Sequence, residues 1–162
     1  MASGDTLLII DAHSAERPTS SAADLEKWNY RPVIAFDGGS SDEIMTFAAV
    51  MPLEYDAGGF RVILHFAMAS ATSGKVLWEV AFEKCTAEDM DTDQFASGVQ
   101  TNPTVTVDKK LHEAIINFTT AHADSVTSAD LMRLKVTRKA SDTTNDTAAG
   151  DAYLVRIEVR ER

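Results

Sequence analysis

From Tyr30 to the C-terminus, apolar residues recur at every second position in short runs broken by polar, glycine-containing stretches. In GFRVILHFAM, the side chains of Phe60, Val62, Leu64, Phe66 and Met68 share one face, and Arg61, Ile63, His65 and Ala67 share the other. After ATSGK the pattern repeats, with Val76, Trp78, Val80 and Phe82 on one face and Glu79 and Glu83 opposite. Period-two alternation marks strands with one face in a core, and the short link between these two predicts a hairpin. Near the C-terminus, Met132, Leu134 and Val136 are predicted inward, with Arg133, Lys135 and Thr137 outward. Likewise Tyr153, Val155, Ile157 and Val159 are predicted inward, with Arg156, Glu158 and Arg160 outward. YRPVIAF, EIMTFAAVM, PTVTVD and HEAIINFTT add further strands. Roughly eight short strands with frequent turn residues predict a sandwich or barrel. No helical period lasts beyond about two turns, which argues against an α/β fold. EIMTFAAVM is apolar on both faces, Ile44 and Val50 as well as Met45 and Phe47, and predicts an outer face covered by a neighbouring subunit.

Residues 1–29 read differently, as an N-terminal strand and arm ahead of a sandwich domain at 30–162. TLLIID is a candidate edge strand, and AHSAERPTSSAAD, with Pro18, reads as an extended linker. Ser21 or Asp24 is placed to cap a single helical turn through Trp28.

At 162 residues the chain suits one domain able to bury a two-layer core without staples. A net charge of −10 argues against nucleic acid as a partner, which needs a basic surface. The lone Cys85 excludes an internal disulfide framework and fits assembly in a reducing compartment. The apolar run Leu7 to Ile10, bracketed by Asp5 and Asp11, is too short for a signal peptide, and nothing reaches bilayer-spanning length, so no membrane partner is expected.

Candidate chemistry is sparse. Asp89, Asp91 and Asp93 fit positions one, three and five of a calcium loop, but Gln94 stands where the turn needs glycine and Gln100 where a bidentate glutamate belongs. Segment 86–102 is therefore read as a solvated acidic connection. Asp142, Asn145, Asp146 and Asp151 form a second oxygen-rich group, read as turn chemistry. His13, His65, His112 and His122 share no zinc spacing with one another or with Cys85, and no nucleophile elbow is present. Gly38-Gly39 and Gly58-Gly59 precede no helix and read as turn glycines, not phosphate cradles. Trp28, Trp78 and Tyr55 are the aromatics to weigh as a sugar platform: Trp78 belongs to a core face, Trp28 is expected half exposed, and Tyr55 wet in its turn. Arg133, Lys135, Arg138, Lys139, Arg156, Arg160 and Arg162 gather positive charge in the last third. They read as a solvated face paired with Glu158 and Glu161, or as a docking edge. No catalytic residue, cofactor site or metal site is predicted, and the chain is not expected to be an enzyme.

The stretches AFDGGSSDEIMTFAAVMPLEYDAGG, HFAMASATSGKVLWEVAFEKC, FTTAHADSVTSADLMRLKVTRKASD and DTAAGDAYLVRIEVRE together resemble a jelly-roll structural domain of tailed-bacteriophage virion proteins. The resemblance runs from about Trp28 to the C-terminus. It implies an all-β antiparallel jelly-roll sandwich with an extended N-terminal arm, often a trimer, in a capsid cement (decoration), head-fibre or tail-associated role. The expectation is a homotrimer on the major capsid protein, located in the virion after assembly in the host cytoplasm. The alternative expectation is a fibre or tail-associated receptor- or carbohydrate-binding module.

Overall fold

The computed structural model describes residues 4–86 and 90–162. Eleven strands are present among them: β1 (Thr6–Asp11), β2 (Ala15–Glu16), β3 (Asp24–Trp28), β4 (Arg31–Phe36), β5 (Glu43–Val50), β6 (Phe60–Met68), β7 (Trp78–Lys84), β8 (Val99–Thr101), β9 (Leu111–Phe118), β10 (Leu131–Arg138) and β11 (Ala152–Glu161). They form the antiparallel sandwich that the alternation predicts. One sheet runs β3-β4-β11-β6-β9, with β1 also paired to β11; the other runs β2-β5-β10-β7-β8. Most successive strands change sheet, the winding of a jelly roll.

The predicted hairpin is instead an arch. β6 pairs with β11 and β9, whereas β7 pairs with β10 and β8 in the opposite sheet. Alternation specifies which face of a strand is buried but not its hydrogen-bonding neighbour. Here the two apolar faces meet each other across the core. Trp78 from β7 stands edge-on to Phe66 of β6 and to Phe36 of β4, with ring centroids 5.5 and 5.1 Å apart. Phe60, Phe82 and Phe118 make a second aromatic group toward the other end.

A register shift between Leu154 and Arg156 corrects the assignment on β11. Ala152, Leu154, Ile157 and Val159 face the core, while Tyr153 and Val155 are half-buried on the outer face. A bulge adds one residue and so reverses the phase of everything before it. PTVTVD forms no strand; only an isolated bridge joins Thr104 to Lys75. The region around Asp24–Trp28 is β3, not a helical turn. It is joined to β4 by Asn29 and Tyr30, whose φ angles of 47° and 71° suit a type I′ hairpin.

The N-terminal segment is woven into the sandwich. β1 pairs with β11 from Thr6 to Asp11, and Leu7 and Ile10 lie in the core. Removing it would strip β11 of a partner along half its edge. Tyr55, expected wet, is buried with its ring edge toward Phe60, and its hydroxyl accepts from the Gly59 amide at 3.2 Å. Gly38 serves close approach, since a Cβ there would strike the backbone of Gly150.

The outer face of β5 is partly covered from within the chain. Ala22 bridges Ile44, and buried Thr46 donates to the Glu16 carbonyl at 2.6 Å. Val50 stays exposed.

Candidate ligand-binding groove

The edge of β11 is shared. β4 occupies it from Ala152 to Leu154, and β1 takes over from Arg156 to Arg160. Where the two strands meet, beside the bulge, the outer face of the six-stranded sheet opens into a groove of about 610 Å³. Ile9 and Asp11 of β1 and His13 form one wall, Arg31 and Pro32 of β4 another, and Val155, Arg156 and Glu158 of β11 with His65 of β6 the floor. Leu111 of β9 closes the far side. A second hollow of about 390 Å³, lined by Trp28, Asn29, Arg31 and Lys109, adjoins it through the shared Arg31. There the Trp28 and Tyr153 rings lie 5.1 Å apart at 42°, both half-buried.

The floor is electrostatically fixed. Glu158 accepts from Arg160 at 2.8 and 2.9 Å, from the Thr6 hydroxyl at 2.6 Å, and lies 3.3 Å from His65 Nε2. The Arg160 hydrogen bonds, outweighing burial and helped by Thr6 and His65, hold its carboxyl down at about 2. His65 Nδ1 lies 3.6 Å from Glu113, buried and without a hydrogen bond. Burial pushes the Tyr153 phenol up, with Glu26, Asp151 and Asp37 adding to it, so it remains a neutral hydroxyl at neutral pH. A groove of this size on a rigid sheet, with aromatic rings at one end and polar side chains along it, suits an extended polar ligand.

The other sequence candidates lie elsewhere. Asp89 falls outside the described residues. Asp93 is committed to Arg133 at 2.6 Å, and no group of three or more His, Cys, Asp or Glu is disposed to hold a metal ion among the described residues. Segment 90–98 is largely exposed, as predicted, but Phe95 is half-buried beneath Lys135 and Arg133 and the Gln94 amide donates to Glu83. Asp142 makes local turns, accepting from the Thr144 and Asn145 amides. Asp146 does more: it takes a fork from Arg138 at 2.9 and 3.0 Å. Arg138 is fully buried, not on a solvated face, and also donates to the carbonyls of Phe36, Ala148 and Gly150. Of the remaining basic residues, Lys139 pairs with Asp42 and Arg160 with Glu158. Glu161 turns inward instead of pairing, and burial together with the Asp56 carboxyl raises its pKa. His112 is bound to the Val107 carbonyl, and His122 is exposed. Sequence reasoning singled out Trp28 but missed Tyr153, Arg31 and Asp11, which the bulge and the β1–β4 junction bring together. The β11 alternation gave no signal of the bulge, since Tyr153, Val155, Ile157 and Val159 alternate cleanly with Arg156, Glu158 and Arg160 and the shift shows only in the pairing with β6.

No family model and no curated protein matches the chain. The sandwich is similar to that of a carbohydrate-binding module, CBM36, in complex with calcium and xylotriose: TM-score 0.55, 12% identity, covering 94% of this chain and 99% of that one. It is similar to the xylan-binding module CBM15 at TM-score 0.54 and 8% identity, over 96% and 97% of the two chains. It is also similar to the CBM22-1 xylan-binding domain of Paenibacillus barcinonensis Xyn10C at TM-score 0.51 and 13% identity, over 99% and 96%. At such identities the likeness shows the jelly-roll fold.

Proposed function

We propose that the chain is a non-catalytic carbohydrate-binding module that holds a glycan along the groove of the six-stranded sheet. The observation that carries this reading is the Trp28–Tyr153 aromatic pair leading, through Arg31, into a groove on the strands lined by charged as well as apolar side chains. Sugar rings present apolar C–H faces to aromatic rings and hydroxyl edges to charged side chains, so this combination matches both halves of their chemistry. The similar structures described as xylan-binding support the reading to the extent that the same sandwich can carry such a site. A glycan array comparing wild type with Trp28→Ala tests it. The expected result is wild-type binding to at least one glycan class and a loss of about tenfold or more in the variant, since stacking contributes on the scale of other aromatic contacts. Binding to nothing on the array, or binding untouched by the substitution, refutes the assignment.

A second reading, a homotrimeric capsid cement protein seated on major capsid subunits in a virion, is favoured by a different surface. Val50 and Leu131 are in register across β5 and β10 and both exposed, and exposed Leu53 follows Val50 by three residues. An apolar patch of this kind suits a protein partner. Sedimentation of wild type and Leu53→Asp tests it: a trimer that dissociates in the variant supports it, and a monomer in both removes its oligomer.

A further inference from the structure

Resting on the carbohydrate reading, we infer that the groove selects glycans bearing isolated carboxylate groups, uronic acid residues set among neutral sugars. The chain carries a net charge of −10, and several of its cationic side chains are occupied by its own acids. Arg17 binds Asp24, Arg133 binds three carboxylates, Arg138 is buried on Asp146, Arg160 forks Glu158, and Lys84 and Lys139 each hold an aspartate. Arg31 and Arg156 are different. Both are exposed, both line the same groove, and neither makes an ion pair or side-chain hydrogen bond among the described residues. Arg156 is in register with Asp11 across β1 and β11 without closing an ion pair to it. Lys109 adds a third cation beside Arg31, its ammonium 3.5 Å from half-buried Asp108.

In a strongly acidic protein, two unpaired guanidiniums facing one cleft make a local positive field where the surroundings repel anions. A guanidinium presents a planar fork that matches a carboxylate. The same groove holds Asp11, Glu113 at its margin and Glu158 in its floor, so a ligand charged at every sugar would meet repulsion there. Neutral hydroxyls opposite those acids and a single carboxylate between Arg31 and Arg156 satisfy both sets. That favours a sparsely carboxylated chain over a densely sulfated one.

The test is affinity electrophoresis and calorimetry on the whole chain with glucuronoxylan, alginate and pectate, each before and after chemical reduction of its carboxyl groups, and with dextran sulfate. Expected is binding to native glucuronoxylan, with affinity about tenfold lower for its reduced form and weaker binding to alginate and pectate, which are charged at every sugar. Alginate or pectate bound more tightly than glucuronoxylan overturns the preference for isolated carboxylates. Arg31→Gln and Arg156→Gln should each bind the native form as weakly as wild type binds the reduced form, with unchanged thermal unfolding because both side chains are exposed. Trp28→Ala should weaken both forms by the same factor. Equal binding of native and reduced forms, or dextran sulfate bound more tightly than glucuronoxylan, overturns the acidic preference while leaving the carbohydrate reading intact. Silence toward every glycan overturns both.

Discussion

The two outer faces of this sandwich receive opposite treatment from the same chain. Over the five-stranded sheet, segment 90–98 lies across the strands with Phe95 beneath two cations, and Arg133 gathers Glu16, Glu83 and Asp93 into one network. Glu83, Thr46 and Thr137 are buried on that side. Over the six-stranded sheet no described segment folds back in the same way. Ile9, Leu111 and Ile115 remain exposed, and Arg31 and Arg156 stay unpaired around an open groove. A chain that can neutralise its own charges does so around Arg133 on one side, whereas on the other the Glu158–Arg160 pair leaves Arg31 and Arg156 unmet. The difference locates where an outside ligand has something to gain.

The strongest test of the closed face is Arg133→Met. Burial works against the Arg133 cation, yet the hydrogen bonds it donates to Asp93 and Glu16 more than compensate and raise its pKa. Glu83, 3% exposed, would keep its Gln94 amide contact but lose its only cation. Breaking one partner out of such a network costs about 3 kcal/mol. Urea denaturation should show that loss with glycan affinity unchanged, because the closed face lies opposite the groove. A fall in affinity would mean that the two faces are coupled.

The open face is next. Glu158 is held at about 2, below the ordinary carboxylate range, chiefly by Arg160. A depressed pKa in the folded state stabilises the fold above the ordinary range, and the contribution disappears as pH falls from there toward 2. Glu158→Gln should therefore cost about 2 kcal/mol near neutrality and almost nothing in strong acid. Chemical denaturation across that pH range reads it directly. A loss that is independent of pH would remove the charge from the explanation and leave only packing.

The layer structure was legible in the sequence because alternation reports burial directly: Trp78, Val80 and Phe82, and Met132, Leu134 and Val136, are all buried on their predicted faces. The pairing of strands was not, because an arch and a hairpin leave the same alternation, as β6 and β7 demonstrate. The groove was illegible for a related reason. It depends on one extra residue between Leu154 and Arg156 and on β1 and β4 sharing an edge, both long-range properties. Arg138 misled in the same way: in a run of basic residues only the surrounding carbonyls of Phe36, Ala148 and Gly150, contributed by distant segments, make it a core residue.

The smallest effect has the opposite sign and sharpens the comparison most. Tyr30 is 94% exposed and has a φ of 71°, a left-handed conformation that is unfavourable for a bulky residue. Its position in a two-residue turn would suit glycine, and its ring covers almost none of the protein. Strain held without packing in return points to a use outside the fold, and this turn borders the hollow lined by Trp28, Asn29, Arg31 and Lys109. Tyr30→Gly should raise stability by about 0.5 kcal/mol, relief of the left-handed strain outweighing the added freedom of the unfolded chain. The same substitution should weaken glycan binding about threefold if the ring closes over a bound sugar, a modest share of an aromatic stacking contact. Higher stability with unchanged affinity would confine the ligand to the Arg31–Arg156 end of the groove. Lower stability would show that the ring packs in a way its exposure denies.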